Sequence, residues 1–372
     1  MPRHQPLHVT TFARRTGIRY TGSLLVGIIL ILVLLSVLLT SRRGGALPWR
    51  RDLLQVDNII NDGVYNYELG IHVSGAYLRR NATIGNVDSA RELSRFLRKV
   101  RDVGARHGIV ALTVANNANA PFVGNWLCGA ALRMPDAMAR VVVVVTDQPT
   151  YRRMLADWPS VHTALFRTDA ALQYNLDRSG EQRYKFLLRR IEMLLSALQC
   201  NVDILVFDAN TLWLKSPFAL LSSSAYANSD IVASPTSRPH EPVADGFMLL
   251  RATTRLLDAW RTITANLQAL QFHNSSQVAW AAYPASELAY LAQLIARGSD
   301  VTAPLSVAIL PWDLFPDGTW YLKSQSERDY SGACVVVNNW NVGVKMKIDR
   351  VRALGYWYMQ REGQRSTCPY VK

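Results

Sequence analysis

Hydrophobic and polar positions fall into three regimes along this chain. From Ser23 to Thr40 the pattern is an unbroken apolar run, SLLVGIILILVLLSVLLT, 18 residues without a charge, and Tyr20 to Gly22 extend it to 21. At about 1.5 Å per residue, such a helix crosses a bilayer core of roughly 30 Å. The bland alternatives are a cleaved signal peptide and a buried core helix. The run is longer than the usual signal-peptide core, no small-residue cleavage site follows closely, and arginines bracket both ends, so a single-pass anchor over residues 20–40 is the expectation. The second regime, residues 41–86, is a Gly/Pro/Arg linker followed by mixed polarity with no strong period, the pattern of a stem. Leu93, Phe96, Leu97 and Val100 then recur at helical spacing and predict a lead-in helix over Val87–Val103, with Asp88 or Ser89 as its cap.

The third regime begins near Gly108, where strand-length apolar runs alternate with helical stretches. GIVALTVAN (108–116) and RVVVVVTD (140–147) are nearly continuous apolar strands, as in a parallel sheet covered on both faces. A helix is expected over Tyr184–Leu198, then strands at DILVFDAN (203–210), DIVAS (230–234) and GFMLLRAT (246–253). Helices over Arg255–Leu270 and Ser286–Ala296 follow, with late strands at SVAIL (306–310) and CVVVNNW (334–340). This order predicts an α/β domain of Rossmann-like type with a mixed sheet flanked by helices, preceded by one transmembrane helix.

Charge changes the picture in one respect. The formal net charge is +13, but eight of those charges are arginines within residues 1–51, a stretch without an acid. The basic balance therefore belongs mainly to the anchor region and fits a membrane surface better than a nucleic-acid groove. Zinc-finger spacing and aromatic RNA-binding motifs are absent, so no nucleic-acid partner is expected. Arginines on both sides of the anchor leave orientation nearly balanced. Two glycosylation acceptors, at Asn81 and Asn274, make sense with a lumenal C-terminal part. Of the four cysteines, Cys128 and Cys334 lie in apolar stretches and read as core residues, whereas Cys200 and Cys368 leave a disulfide open with no connectivity readable.

The candidate chemistry sits at strand ends. In VFDAN, Asp208 and Asn210 are two apart, so on a strand both would face one point, one as carboxylate and one as carboxamide. Hard oxygens arranged so can hold a divalent cation against a diphosphate. The competing reading is a turn, in which Asp and Asn are both common.

Several ordered blocks resemble the nucleotide-diphospho-sugar transferases that include plant wall xylosyl- and arabinosyltransferases. They are NNANAPFVGNWLCGA (116–130), RVVVVVTDQPTY (140–151), LLRRIEMLLSALQCNVDILVFDANTLWLKSP (187–217), VADGFMLLRAT (243–253), LPWDLFPDG (310–318) and VVVNNWNVGVKMKIDRVRALGYW (335–357). The resemblance implies a GT-A fold over 101–372, after a tail (1–19), anchor (20–40) and stem with lead-in helix (41–100). It also implies a type II Golgi membrane protein with its catalytic domain in the lumen, moving a sugar from a UDP-sugar to a glycan or glycoprotein, with retention and Mn²⁺ as expected features. Carried onto this sequence, it places Asp208 and Asn210 at the metal, Arg190 on the phosphates with Arg189 beside it, and Asp245 and Glu287 at the sugar or acceptor. Asn338 and Lys345 fall near the nucleotide. The family's Asp-x-Asp is here Asp-Ala-Asn, and its late His is here Asn338. A membrane-tethered pseudoenzyme that binds without transfer is the alternative these changes raise.

Overall fold

The structure is a computed structural model that describes residues 64–66, 71–73, 86–167, 180–235, 246–273, 304–338, 343–362 and 365–370. The chain divides into two compact units, Met1–Asn58 and Ile59–Lys372, and all described residues belong to the second. The expected anchor, both glycosylation acceptors and the helix expected over 286–296 lie outside the described residues. Among the described residues, no helix is long and apolar enough to cross a membrane.

A short antiparallel hairpin, β1 (Val64–Asn66) and β2 (Ile71–Val73), precedes helix α1 (Asn86–His107). Asp88 and Ser89, expected as caps, lie inside α1. The main domain then runs β3 (Ile109–Ala115), α2 (Ala120–Arg133), α3 (Pro135–Arg140), β4 (Val141–Val145), α4 (Gln148–Asp157) and β5 (His162–Leu165). Next come α5 (Gly180–Leu198), β6 (Asp203–Phe207), β7 (Leu212–Trp213), α6 (Phe218–Leu221), β8 (Ile231–Ala233), β9 (Phe247–Leu250) and α7 (Thr254–His273). It closes with β10 (Val307–Ile309), α8 (Gln325–Tyr330), β11 (Val335–Val336), α9 (Val344–Ala353), β12 (Gln360–Glu362) and β13 (Arg365–Thr367).

Seven strands form the central sheet in the order β10-β8-β9-β6-β3-β4-β5. Every neighbouring pair is parallel except those made by β9, which runs antiparallel to both β6 and β8. The sheet is therefore mixed, with β9 alone reversed, in keeping with the mixed α/β sheet expected from the sequence.

The alternation of strand side chains builds two cores. Val110, Leu112, Val142, Val144, Ile204 and Val206 point to the face covered by α1, α5 and α7, where Phe96, Leu97, Ile191 and Trp260 are fully buried. Their neighbours Ala111, Val141, Val143, Val145, Leu205 and Phe207 point to the opposite face, against Val123 and Leu127 of α2. Strands buried on both faces need no polar alternation, which is why β3, β4 and β6 read as continuous apolar runs.

The late strand expected over 334–340 is shorter than its apolar run suggests. Among its described residues, 334–338, Val335–Val336 alone pair, antiparallel with β7 in a separate two-stranded sheet. Leu314 and Pro316 carbonyls accept the amides of Cys334, Val335 and Val337, so the LPWDLFPDG and CVVVNNW blocks are tied to each other outside the main sheet. Cys128 is not an isolated core thiol: it forms a disulfide with Cys368 across 240 residues of sequence, while Cys334 is buried and Cys200 half-buried as free thiols.

Candidate active site

β4 and β5 lie on one side of β3, and β6 lies on the other. The chain thus reverses its direction of travel across the sheet between β3 and β6, and the carboxyl ends of these strands frame the crevice where open α/β sheets take ligands. Asp208 follows the last residue of β6 there. Because β9 is reversed, its first residues arrive at the same edge: Phe207 pairs with Phe247, and the Asp208 amide donates to the Gly246 carbonyl at 2.9 Å.

Gly246 has φ +94°, a backbone region that favours glycine, and its missing side chain leaves room for its neighbours. Asp208 Oδ2 and Val337 Cγ1 would each lie 3.4 Å from a Cβ placed there. Three blocks far apart in sequence therefore converge at one glycine.

Under this convergence lies an aromatic floor. Trp213 contacts Trp126 at 5.0 Å and Phe207 at 4.8 Å between ring centroids, and Phe247 contacts Trp213 at 5.6 Å and Phe315 at 5.4 Å. Trp213 is thus a packing residue whose indole N–H donates to Thr211 Oγ1, while Thr211 in turn donates to the Asp208 carbonyl at 2.7 Å. The strand ends at Phe207, and the Thr211 amide also reaches the Asp208 carbonyl, which closes a turn over Asp208–Thr211. Asp208 and Asn210 accordingly stand in a turn, where strand alternation does not set their directions.

The Asp208 carboxylate does not spend itself on that turn. Its side chain is 43% exposed, and Oδ1 stands 3.7 Å from a guanidinium nitrogen of Arg190 on α5. Arg190 also lines a small pocket with Val114, Val144, Thr146 and Phe166, at the carboxyl ends of β3 and β4 and just beyond β5. It therefore reaches both sides of the crevice. Arg189 lines the same pocket and also meets Glu192 at 3.2 Å, and Glu192 is held by Gln268 of α7 at 2.8 Å. Both arginines thus border the same pocket, Arg190 paired with Asp208 and Arg189 with Glu192.

Asn338 is fully buried, two residues beyond β11, and its Oδ1 accepts a hydrogen bond from Arg350 of α9. Arg350 stacks over Tyr321, its guanidinium carbon 4.2 Å from the ring centroid. Burial raises the Tyr321 hydroxyl above its ordinary value, with the Arg350 charge pulling the other way. Lys345 is different. It is 89% exposed on the first turn of α9 and pairs with Asp349 at 2.5 Å, four residues on, as a helix-surface ion pair. Asp245 and Glu287 lie outside the described residues. Asn210 is half-buried in the turn after β6.

Arg350 and Tyr321 were missed by sequence reasoning. Arg350 lies inside the 335–357 block with the sequence signature of any helix-surface arginine, and Tyr321 lies just beyond the LPWDLFPDG block with no periodic signal. Asn125 was also missed as a fastener: its side chain donates to the Tyr356 carbonyl and accepts from the Tyr358 amide at 2.6 Å, holding the closing segment to α2. Arg251, the Arg of the Gly-Phe-x-x-x-Arg block, is a structural tie, bound to Asp203 at 2.6 Å and to the Leu221 carbonyl at 2.9 Å.

The model of one protein family, described as nucleotide-diphospho-sugar transferase, matches residues 136–351. The chain belongs to that family. The match includes Arg190, the Asp208 turn, Gly246 and Asn338, while β3 on the crevice's other side precedes it. The chain is 24% identical over 349 residues to a UDP-D-xylose:L-fucose alpha-1,3-D-xylosyltransferase of Arabidopsis thaliana, spanning 89% of this chain and 86% of that protein. It is also 24% identical over 270 residues to UDP-D-xylose:L-fucose alpha-1,3-D-xylosyltransferase 1 of the same plant, covering 68% and 71%. Among solved structures it resembles the galactosyltransferase LgtC in complex with donor and acceptor sugar analogues, at 12% identity and a TM-score of 0.42, covering 68% of this chain and 97% of that one. The protein is a glycosyltransferase using a nucleotide-sugar donor, and the comparisons do not favour the pseudoenzyme alternative.

The resemblance implies Mn²⁺ for this chain, and the donor set bears on that expectation. A divalent cation against a diphosphate wants several hard, mostly anionic oxygens. Here the Asp208 carboxylate faces Arg190, and the oxygen of Asn338 is taken by Arg350. Among the described residues, no group of three or more His, Cys, Asp or Glu side chains converges. The residues described here do not fit a divalent cation.

Proposed function

We propose that this protein transfers xylose from UDP-xylose to a hydroxyl of a glycan or glycoprotein, with a fucosyl residue as the first acceptor to test. The observation that carries this is the Arg190–Asp208 pair at the sheet's switch point, within the matched family region. Breaking the sugar–phosphate bond leaves negative charge on UDP, and groups fixed around that charge lower the barrier. Arg190, half-buried and already aimed into the crevice, is such a group. Asp208 holds that guanidinium in place. The xylosyltransferases similar to this chain are named for alpha linkages made from UDP-D-xylose, which supports retention of configuration. Asp245, next to Gly246, and Glu287 are proposed to orient the sugar or acceptor, and Asn210 to border the diphosphate. The apolar run at 20–40 and the glycosylation acceptors at Asn81 and Asn274 are what supports reading it as a type II Golgi membrane protein.

The test is a screen of the purified chain against nucleotide sugars with fucosylated, galactosylated and unsubstituted acceptors, reading UDP release and product mass. Acceptor-dependent turnover of UDP-xylose above other donors is the expected result. Turnover of a different donor would keep the transferase and discard xylose.

A further inference from the structure

We propose that the diphosphate is held by two arginines, Arg190 and Arg350, so that donor binding needs no divalent cation; this rests on the transferase reading above. The argument starts at Gly246. Asp208 Oδ2 and Val337 Cγ1 meet over that glycine, each 3.4 Å from where a Cβ would stand. Asn338, next along the chain, is therefore beside the turn that carries Asp208. Arg350 comes to it from α9, its guanidinium stacked on Tyr321 and donating to Asn338 Oδ1.

That contact decides the sign of the site. The carboxamide oxygen, the atom by which Asn338 would coordinate a cation, is turned to a guanidinium instead. What remains are donors: the Asn338 Nδ2 group, in a side chain with no exposure, has no acceptor, and neither has the buried Tyr321 hydroxyl. Buried donors without acceptors cost free energy unless something supplies acceptor oxygens. Beside the same glycine, the Asp208 carboxylate faces Arg190. A divalent cation entering between these groups meets a guanidinium on each side, whereas a diphosphate meets two charges and two free donors. Arginine's planar fork suits phosphate oxygens. Asn338 then acts as a positioning residue that fixes Arg350, and the change from the family's His to Asn suits a site that binds an anion directly.

The competing reading is that Arg350 only packs α9 against Tyr321. Calorimetric titration of the purified full-length chain with UDP and with uridine, in EDTA and in Mn²⁺, separates the two. UDP affinity in EDTA is expected to match that in Mn²⁺ within about twofold. Arg350→Gln is expected to weaken UDP by about tenfold or more, the scale of losing a charged partner, while uridine changes less than about twofold. Arg350→Lys, which keeps the charge and the stem, recovers part of the loss and serves if Arg350→Gln fails to fold. UDP binding that appears only with Mn²⁺ overturns the inference and leaves the transferase standing. Equal weakening of UDP and uridine also overturns it, because a packing defect affects both. Failure of UDP and uridine to bind in either buffer overturns the transferase reading and this inference together.

Discussion

Asp208 is the residue on which the account turns. Its backbone makes the turn after β6, and its side chain makes the pair with Arg190. A half-exposed pair of this kind contributes little to stability, about 0–1 kcal/mol. Asp208→Asn therefore tests function with little structural interference: transfer is expected to fall about a hundredfold, as when one preorganised group in a charge-stabilising site is lost, while the thermal midpoint stays nearly constant. Initial rates and a melting curve on the same preparation check both. The free cysteines support a second prediction at this scale. Burial pushes the thiols of Cys200 and Cys334 from the ordinary 9.0 up to about 11. A raised thiol pKa means the folded state keeps protons that the unfolded state loses, so this contribution is complete below pH 9.0 and is lost as pH rises to about 11. Denaturant midpoints are expected to fall across that interval, and the Cys200→Ala, Cys334→Ala double variant to fall less.

At the scale of elements, α2 shows how small residues set a seam. Its outer face carries Gly124, Asn125, Cys128 and Gly129 toward Tyr356–Met359. A Cβ at Gly129 would sit 2.7 Å from the ring of Tyr358, whereas one at Gly124 would sit 3.4 Å from the end of Met359. Gly129→Ala is expected to destabilise by about 1–3 kcal/mol through overpacking, and Gly124→Ala to be neutral or slightly stabilising because helix propensity favours alanine. Urea titrations of the two variants distinguish them. Much of the sheet was legible because β3, β4 and β6 are apolar on both faces. β5 was not, since HTAL is an edge strand with a polar first residue and only four positions. The 334–338 stretch is apolar for a different reason from the one inferred: it does not pair into the main sheet, but Val335 and Val337 pack into the core on that sheet's α2 face, while Val336 packs with Leu212 and Trp320. The ordered blocks point to Asp208 and Arg190, and the structure adds that Arg190 stands 3.7 Å from Asp208 while both Arg189 and Arg190 line the pocket. Arg350 was invisible because its partners, Asn338 and Tyr321, are local neighbours only in three dimensions.

For the whole molecule, the Cys128–Cys368 disulfide ties α2 to the C-terminal segment across 240 residues. A loop of that length is worth up to about 5 kcal/mol by the chain-entropy argument, less where the unfolded chain retains structure. The Cys128→Ser, Cys368→Ser double variant is expected to melt several degrees lower under non-reducing conditions, and the wild type to approach it when reduced. A lumenal setting, proposed from the sequence, is where such a bond persists. The measurement that tests the central claim most directly is UDP release from UDP-xylose by the purified chain with acceptor present, compared with its Arg190→Ala variant. The account predicts acceptor-dependent release that drops about a hundredfold in the variant at an unchanged thermal midpoint. Equal rates in the two proteins would contradict it, because the crevice between β3 and β6 would then not be where the sugar–phosphate bond breaks.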